Sequence, residues 1–308
     1  MLPDSSTSLP ETVSVRQKGA TTLITLNRPA ARNAVNPATA LALYRAMVAF
    51  EADDDAAVAV LAGAGDSFCG GFDLKTLAQG EAADWLAQLH FGETGQPPLG
   101  PMGPTRLRLA KPVIAAIAGA AVAGGMELAL WCDMRVMERD AWMGVLCRRW
   151  GVPLIDGGTV RLPRLVGQGR ALDLILTGRR IEAAECHAIG LCDRVVAPGK
   201  VVDAALDLAA ELAALPQACL RGDRAAARFG AFSDEEAALR AEFHAGLDVL
   251  RVESVQGAAA FAAGAGRHGL PGHSGIDNGD AGSEGDAESG DHSDGDDADT
   301  ALRPRDPP

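Results

Sequence analysis

Two glycine-rich turns, each lying between an apolar strand-like segment and a helix-like segment, constrain the fold of this chain more than any other feature. The first is GAGDSFCGGFDLK at 63–75, and the second is AGAAVAGGMELALWCD at 118–133. Glycines at a strand-to-helix turn allow the backbone to approach a ligand closely and direct free N–H groups toward it. The two turns therefore predict an α/β fold with, in outline, an anion or oxyanion site formed by backbone amides. The alternative is that the glycines serve packing only, as in many α/β turns.

The remaining pattern alternates strand and helix in the first half of the chain and is mostly helical in the second. Runs at 13–17 and 21–26 predict a hairpin, and runs at 57–61 and 112–117 predict buried strands. Asn36 and Pro37 predict the start of a helix that continues through Phe50. Further helices are predicted at 169–176, 182–189, 201–215, 217–229 and 233–250.

Composition indicates an ordinary globular protein with an unusual end. The chain of 308 residues is 47% hydrophobic and 22% charged, and it carries a formal net charge of −13. The segment from His268 to Pro308 holds eleven acidic residues and two arginines. It has too few large apolar side chains to offset the entropy cost of ordering. We predict a flexible leader at 1–10, a core at 11–200, a helical region at 201–266 and a disordered acidic tail at 267–308.

The same features argue against several classes of partner. An acidic chain lacks the basic face that nucleic acid or an anionic membrane requires. The longest apolar run, 112–126, is shorter than the roughly 20 residues of a membrane-spanning helix. The N-terminal MLPDSSTSLPET has no secretory signal pattern. The six cysteines show neither a CxxC pair nor zinc spacing. We therefore expect a cytoplasmic protein with reduced thiols and no bound metal.

Two carboxylates stand beside glycine pairs. Glu127 falls in the first turn of the helix that Gly124 and Gly125 open, where it is either an acid–base group withdrawn from water or simply a favourable charge at a helix N-terminus. Asp156 precedes Gly157-Gly158, where it is either functional or the N-cap of a helix. The GxSxG and P-loop motifs are absent, which disfavours serine hydrolases and nucleotide hydrolases.

Four segments in series resemble the crotonase (enoyl-CoA hydratase/isomerase) superfamily. They are LNRPAARNAVN, SFCGGFDLK, KPVIAAIAGAAVAGGMELALWCDMRV and WGVPLIDGGTVRLPRLVG. The resemblance covers roughly residues 11–265 and implies a spiral of repeated β-β-α turns with a helical C-terminal trimerisation region. It also implies an acyl-CoA thioester substrate, no cofactor other than the coenzyme A of that substrate, and a homotrimer or a dimer of trimers.

The resemblance assigns roles to individual residues. Two backbone N–H groups that hold the thioester oxygen as it becomes enolate-like map to Phe72 and Gly124, and such preorganised donors stabilise developing charge. Arginine in the CoA-contacting segment suits phosphate binding. The residues placed along the nucleotide and pantetheine of CoA are Arg28, Gly70, Gly71, Asp73, Leu74 and Lys75.

The chain departs from the family pattern at one catalytic position. Hydratases of this family use two glutamates beside the added water; the first maps to Glu127, but the second falls on Cys147. A neutral thiol is a weak acid and a weak base, so Asp156 is the alternative second acid–base group, as in dienoyl-CoA isomerases and certain acyl-CoA dehydratases. A covalent role for Cys147 is disfavoured, because we predict it on a strand with no histidine partner.

The sequence thus predicts an acyl-CoA enzyme, a hydratase-like lyase that adds water to or removes it from a 2-enoyl/3-hydroxyacyl-CoA through a stabilised enolate. One alternative is a double-bond isomerase, for which a single carboxylate suffices. The other is an acyl-CoA-binding homologue with little catalysis, which would bind acyl-CoA tightly and whose turnover would not change in Glu127→Gln.

Overall fold

The structure is a computed structural model that describes residues 12–80, 82–92, 95–215, 217–231, 236, 247, 251 and 254–264. The described residues all fall within one structural unit, Met1–His273. The predicted leader at 1–10 and the predicted acidic tail at 267–308 lie outside them, as does nearly all of the helix predicted at 233–250. Those predictions, and the domain boundaries drawn from them, stay predictions.

The described elements follow the predicted order, with strands and helices mixed first and helices last. The strands are β1 (Val13–Lys18), β2 (Thr21–Leu26), β3 (Val58–Gly63), β4 (Ser67–Cys69), β5 (Val113–Ile117), β6 (Ala120–Val122), β7 (Met134–Glu138), β8 (Trp142–Gly144), β9 (Arg180–Glu182) and β10 (Arg194–Val196). The α-helices are α1 (Pro37–Ala52), α2 (Leu74–Ala78), α3 (Ala82–Ala87), α4 (Gly124–Trp131), α5 (Gly158–Val166), α6 (Gln168–Thr177), α7 (Ala183–Ala188), α8 (Val201–Ala213), α9 (Gln217–Ala231) and α10 (Val255–Ala262). Short 3-10 helices span Pro29–Ala31, Pro104–Arg106 and Leu146–Trp150.

The strands form two sheets that advance together along the chain. One sheet has the order β1-β2-β3-β5-β7-β10, and the other has the order β4-β6-β8-β9. β1 and β2 form the predicted antiparallel hairpin, and β2, β3, β5, β7 and β10 run parallel. β4, β6 and β8 are also parallel, and β9 closes that sheet in the antiparallel direction.

Three consecutive β-β-α units generate this arrangement. In the units β3-β4-α2, β5-β6-α4 and β7-β8-α5, the first strand joins the six-stranded sheet and the second joins the four-stranded sheet. Each unit therefore repeats the geometry of the one before it and places its helix start next to that of its neighbour. The spiral of β-β-α turns predicted from the sequence is confirmed.

Local sequence explains the elements, and alternation along the strands explains the core. The Asn36 side chain caps α1 by accepting a hydrogen bond from the Thr39 amide at 3.0 Å, as N-cap residues do. On β3, Leu61 faces the largest apolar cluster, whereas Val60 faces a second cluster that α8 covers with Leu208. Successive strand residues point to opposite faces, so the six-stranded sheet is covered on both sides.

No helix in the part of the chain that the structure describes is both long enough and apolar enough to span a bilayer.

Candidate active site

A cavity of about 700 Å³ opens where the helices of the β-β-α units begin. It brings together residues that are far apart in the sequence and that we predicted separately. Those that line it are Arg28, Gly70, Phe72, Asp73, Leu74, Lys75, Gly124, Glu127, Cys147 and Asp156. Of the predicted site residues, Gly71 is not part of the lining. The cavity therefore unites both glycine-rich turns with both candidate carboxylates.

The first two units each present a backbone amide at this cavity. Val35 donates to the Gly71 carbonyl at 2.8 Å, and Asp73 donates to the Val35 carbonyl at 2.9 Å. This parallel bridge directs the N–H of Phe72 away from Val35. Gly124 is the first residue of α4, where an N–H has no acceptor in a preceding turn. Neither amide donates to any acceptor among the described residues.

Gly71 brings these two amides together from behind the cavity wall. Its φ is +90°, in the region that favours glycine. A Cβ atom at Gly71 would lie 2.9 Å from the Cβ of Ala123 and 3.1 Å from the nitrogen of Gly124. A side chain there would push the two turns apart. Glycine at position 71 therefore allows the amides of Phe72 and Gly124 to lie close together.

Glu127 is buried, and backbone amides of the third unit hold its carboxylate. Oε1 accepts a hydrogen bond from the amide of Asp156 at 3.0 Å and another from the amide of Gly158 at 2.8 Å. The side chain is 3% exposed, yet it lines the cavity. Charge-assisted bonds of this kind fix both the position and the orientation of a carboxylate.

Asp156 is also buried and also lines the cavity. Its Oδ1 accepts hydrogen bonds from the amide of Met102, at 2.9 Å, and from the hydroxyl of Thr105. Burial raises the pKa of Asp156, and these hydrogen bonds oppose that rise together with Arg106 and Arg161. A carboxyl that keeps its proton more readily than usual suits a proton donor near neutral pH.

The interpretation of Asp156 as a helix N-cap is wrong. The N-cap of α5 is Gly157, at a φ of +96°, and no side chain caps that helix start. The Asp156 carboxyl faces the loop that precedes β5 instead of the amides of α5. Its position is therefore set by the cavity wall and not by helix capping.

Cys147 lies in the cavity wall but not on a strand, so that part of our prediction is wrong. It belongs to the 3-10 helix Leu146–Trp150, and its side chain is buried. Burial, and to a smaller extent the charge of Glu127, raise the pKa of the thiol to about 12. A thiol that stays protonated at neutral pH is a poor nucleophile and a poor replacement for a carboxylate.

The predicted CoA-contacting residues meet at one edge of the cavity. Arg28 forms an ion pair with Asp73 at 3.0 Å, and its guanidinium also donates to the Ala34 carbonyl. Asp73 is the N-cap of α2 and accepts from the Lys75 amide at 3.1 Å. Lys75 is exposed at this edge. Arg28 is thus held in place by protein groups while its side chain stays 22% exposed.

Several residues of the wall were not found by sequence reasoning. Met102 packs against Gly124, where a Cβ atom would lie 2.7 Å from its Sδ atom. Phe261 reaches the cavity from α10, and its ring meets that of Trp150 edge to face at 5.3 Å. α10 approaches closely because a Cβ at Gly257 would lie 2.0 Å from the Trp150 carbonyl oxygen. These contacts join residues that are far apart in the sequence, so no local sequence pattern predicts them.

Within the described ranges, no group of three or more histidine, cysteine, aspartate or glutamate side chains is arranged to bind a metal ion.

Known proteins resemble this chain in sequence and in fold. The chain is 37% identical over 207 residues to "Enoyl-CoA hydratase EchA19" of Mycobacterium tuberculosis, covering 65% of this chain and 74% of that protein. It is 38% identical over 204 residues to "Carnitinyl-CoA dehydratase" of Salmonella arizonae, covering 66% and 74%. The solved structure of carnitinyl-CoA hydratase from Mycobacterium avium matches with a TM-score of 0.72 at 32% identity, covering 82% of this chain and 96% of that one.

The family model described as "Enoyl-CoA hydratase/isomerase" matches residues 16–263. The four sequence segments, the β-β-α spiral and these relatives all agree with that match. The chain therefore belongs to the enoyl-CoA hydratase/isomerase family, within the crotonase superfamily.

Proposed function

We propose that this chain is a hydratase-like lyase that adds water to a 2-enoyl-CoA or removes it from a 3-hydroxyacyl-CoA. The observation that carries this proposal is the meeting of two buried carboxyl groups, Glu127 and Asp156, with the amides of Phe72 and Gly124 at one cavity. Relatives with about 37% identity are named as an enoyl-CoA hydratase and a carnitinyl-CoA dehydratase, which supports the same reaction class.

We assign each group a task that its position supports. The thioester oxygen accepts hydrogen bonds from the amides of Phe72 and Gly124, which stabilise negative charge as the enolate forms. Glu127, held by two amide donors, takes the proton of the water whose oxygen attacks C3. Asp156, whose pKa is raised by burial, gives a proton to C2. In the dehydration direction the same groups act in reverse.

The proposal extends to the substrate's coenzyme and to assembly. CoA enters as part of the substrate, with its phosphates near Arg28 and Lys75, and no separate cofactor takes part. We place the enzyme in the cytoplasm as a homotrimer or a dimer of trimers. Leu165 of α5 is 38% exposed, and Leu172 and Leu176 of α6 are 43% and 68% exposed, which supports a covered apolar surface. Light scattering of the purified full chain would measure the number of subunits.

The test is loss of the conjugated enoyl-thioester absorbance with short, medium and long trans-2-enoyl-CoAs, with the product mass recorded. The variants are Glu127→Gln and Asp156→Asn, each of which keeps a side-chain oxygen as a hydrogen-bond acceptor. Glu138→Gln is the matched control, because Glu138 is also buried and accepts the Gly199 amide at 2.7 Å but does not line the cavity. Hydration by the native chain that both site variants lose, and that the control retains, supports the proposal.

One observation favours a double-bond isomerase as the second candidate. Cys147 stands where the family's second glutamate is expected, and its thiol stays protonated. Glu127 alone would then carry a proton between two carbons, with enolate stabilisation unchanged. Isomerisation leaves the substrate mass unaltered and survives Asp156→Asn, whereas hydration adds one water.

A non-catalytic acyl-CoA-binding protein is the remaining alternative. It would bind acyl-CoA with no turnover, and Glu127→Gln would leave the binding affinity unchanged. Titration of the native chain with a saturated acyl-CoA measures that affinity in the same preparation.

A further inference from the structure

Two donors occupy one oxygen of Asp156 and leave the other without a donor. Oδ1 accepts from the amide of Met102, in the loop before β5, and from the hydroxyl of Thr105, in the 3-10 helix Pro104–Arg106. No hydrogen bond to Oδ2 is formed within the described part of the chain. An oxygen that already accepts two hydrogen bonds has no lone pair left for a proton, so a proton on Asp156 resides on Oδ2.

Arg161 fixes the geometry of this pair from a third side. One terminal nitrogen of its guanidinium donates to the Asp156 carbonyl at 2.7 Å, and the other donates to the Thr105 carbonyl at 2.7 Å. Arg161 is 3% exposed and Thr105 is fully buried. The backbone of Thr105 is therefore anchored to the backbone of Asp156 independently of the bond between their side chains.

Gly100 leaves room for the Thr105 hydroxyl. A Cβ atom at Gly100 would lie 2.2 Å from Oγ1 of Thr105. The hydroxyl occupies that space and points at Asp156, and it does not line the cavity. Thr105 thus contacts the acid–base group without contacting the substrate.

We propose that Thr105 is a positioning residue, which with the Met102 amide saturates Oδ1 of Asp156 and so places the transferable proton on Oδ2. This inference rests on the acid–base role of Asp156 in the proposed function. It adds a residue that the family resemblance did not supply, and it assigns the proton to one of two oxygens.

The charged and titratable groups around Asp156 influence its pKa and therefore the pH dependence of kcat. They are Glu127 of α4, which faces the Asp156 amide, Arg106 of the 3-10 helix before β5, Arg161 of α5 and Cys69 of β4. Among the interactions that oppose the raised pKa of Asp156, the hydrogen bond from the Thr105 hydroxyl is the strongest. Removing the hydroxyl raises the pKa of Asp156 further. The alkaline limb of kcat, where Asp156 loses its proton, then moves to higher pH.

The experiment is the pH dependence of kcat and KM for Thr105→Val, Thr105→Ser and Asp156→Asn in the full chain, with trans-2-enoyl-CoA. We expect Thr105→Val to lower kcat roughly tenfold with little change in KM, and to move the alkaline limb up by roughly one pH unit. Thr105→Ser restores both properties. The control is Thr39→Val, because Thr39 is also buried and its hydroxyl donates to Asn36 Oδ1 at 2.7 Å, away from the cavity.

The outcomes separate this inference from the proposed function. An unmoved alkaline limb in Thr105→Val, with Asp156→Asn inactive, overturns the role of Thr105 and leaves that of Asp156 standing. An Asp156→Asn variant with native rate and pH profile overturns the proposed acid–base role itself. If Thr105→Val does not fold, Thr105→Ala also lacks the hydroxyl and carries the same test.

Discussion

The second and third β-β-α units both present backbone N–H groups at a helix start, but only those of the third unit have an acceptor among the described residues. In the second unit, the Gly124 amide at the start of α4 has no acceptor among the described residues and faces the cavity. In the third unit, the amides of Asp156 and Gly158 at the start of α5 are bonded to Oε1 of Glu127. One helix start is open to a ligand, and the other holds a carboxylate of the protein.

This difference shows how a repeated fold builds an asymmetric site. Each helix start offers N–H groups that need an acceptor. Where the protein supplies none, the amide is available to a substrate oxygen. Where Glu127 supplies one, the amides fix the position of its carboxylate. In the proposed mechanism, the repeat therefore supplies both the donor for the substrate oxygen and the alignment of the acid–base group, without a new structural element.

The largest effect is expected from Glu127→Gln, which removes the charge of the acceptor in the third unit. The amides at positions 156 and 158 keep a carbonyl oxygen to bind, but proton transfer is lost. We expect kcat to fall roughly 10³-fold, within the range for a general acid or base, while the unfolding temperature changes little. Steady-state kinetics beside Glu138→Gln measures this, and native kcat in Glu127→Gln would contradict it.

A smaller effect on kcat is expected from Gly158→Ala, which adds a methyl group next to Glu127 but leaves the Glu127 carboxylate in place. The new Cβ would lie 2.9 Å from Oε1 of Glu127 and 3.0 Å from Cδ1 of Leu154. We expect kcat to fall roughly 10- to 100-fold, because small displacements of aligned groups are costly. The control is Gly169→Ala on α6, where an added Cβ atom would have open space around it. Equal kcat in the two variants would show that Glu127 tolerates displacement.

The sequence predicted the parts of this comparison that are encoded locally. The hairpin, the cap at Asn36 and the glycines of both turns follow from neighbouring residues, and the structure confirms them. The contacts that complete the site are not local. Thr105 meets Asp156 across 51 positions, and Arg28 meets Asp73 across 45. Packing of whole elements decides such pairs, and a single sequence carries no pattern for them.

Two local interpretations were wrong for the same reason. Cys147 was predicted on a strand, but β8 ends at Gly144 and a 3-10 helix follows. Asp156 resembled an N-cap because it precedes glycines and a helix, yet Gly157 takes that position. In both cases the chain turns to place the side chain in the cavity wall, and tertiary packing overrides the local preference.

The stability of Asp156→Asn relative to the native chain is expected to depend on pH. Burial raises the pKa of Asp156, so the folded chain binds that proton more tightly than the unfolded chain. Stability therefore falls as pH rises from the ordinary aspartate pKa through the raised one. Asparagine does not ionise and keeps an oxygen for Met102 and Thr105. We expect it to be more stable than the native chain at neutral pH, with a higher Tm.

Thermal unfolding of both proteins across the pH range measures this difference. The gain of Asp156→Asn should vanish at acidic pH, where the native aspartate is protonated. A gain that is independent of pH would assign the effect to packing instead of ionisation.

The smallest effect is expected at Cys147. Because its pKa is raised to about 12, the thiol neither ionises nor transfers protons near neutral pH, and Cys147→Ser should keep kcat within about threefold. Iodoacetamide at neutral pH should modify the exposed Cys219 and spare the buried Cys147. Mass spectrometry of tryptic peptides reads out both sites. Rapid labelling of Cys147, or a large loss of rate in Cys147→Ser, would restore a covalent role.

The most direct measurement is a crystal structure of the full chain with a bound acyl-CoA. We expect the thioester oxygen to lie about 2.7–3.2 Å from the amide nitrogens of both Phe72 and Gly124. We also expect the amides of Asp156 and Gly158 to remain on Oε1 of Glu127. A thioester oxygen bound elsewhere, or a ligand that takes the amides of Asp156 and Gly158 away from Glu127, would contradict these expectations.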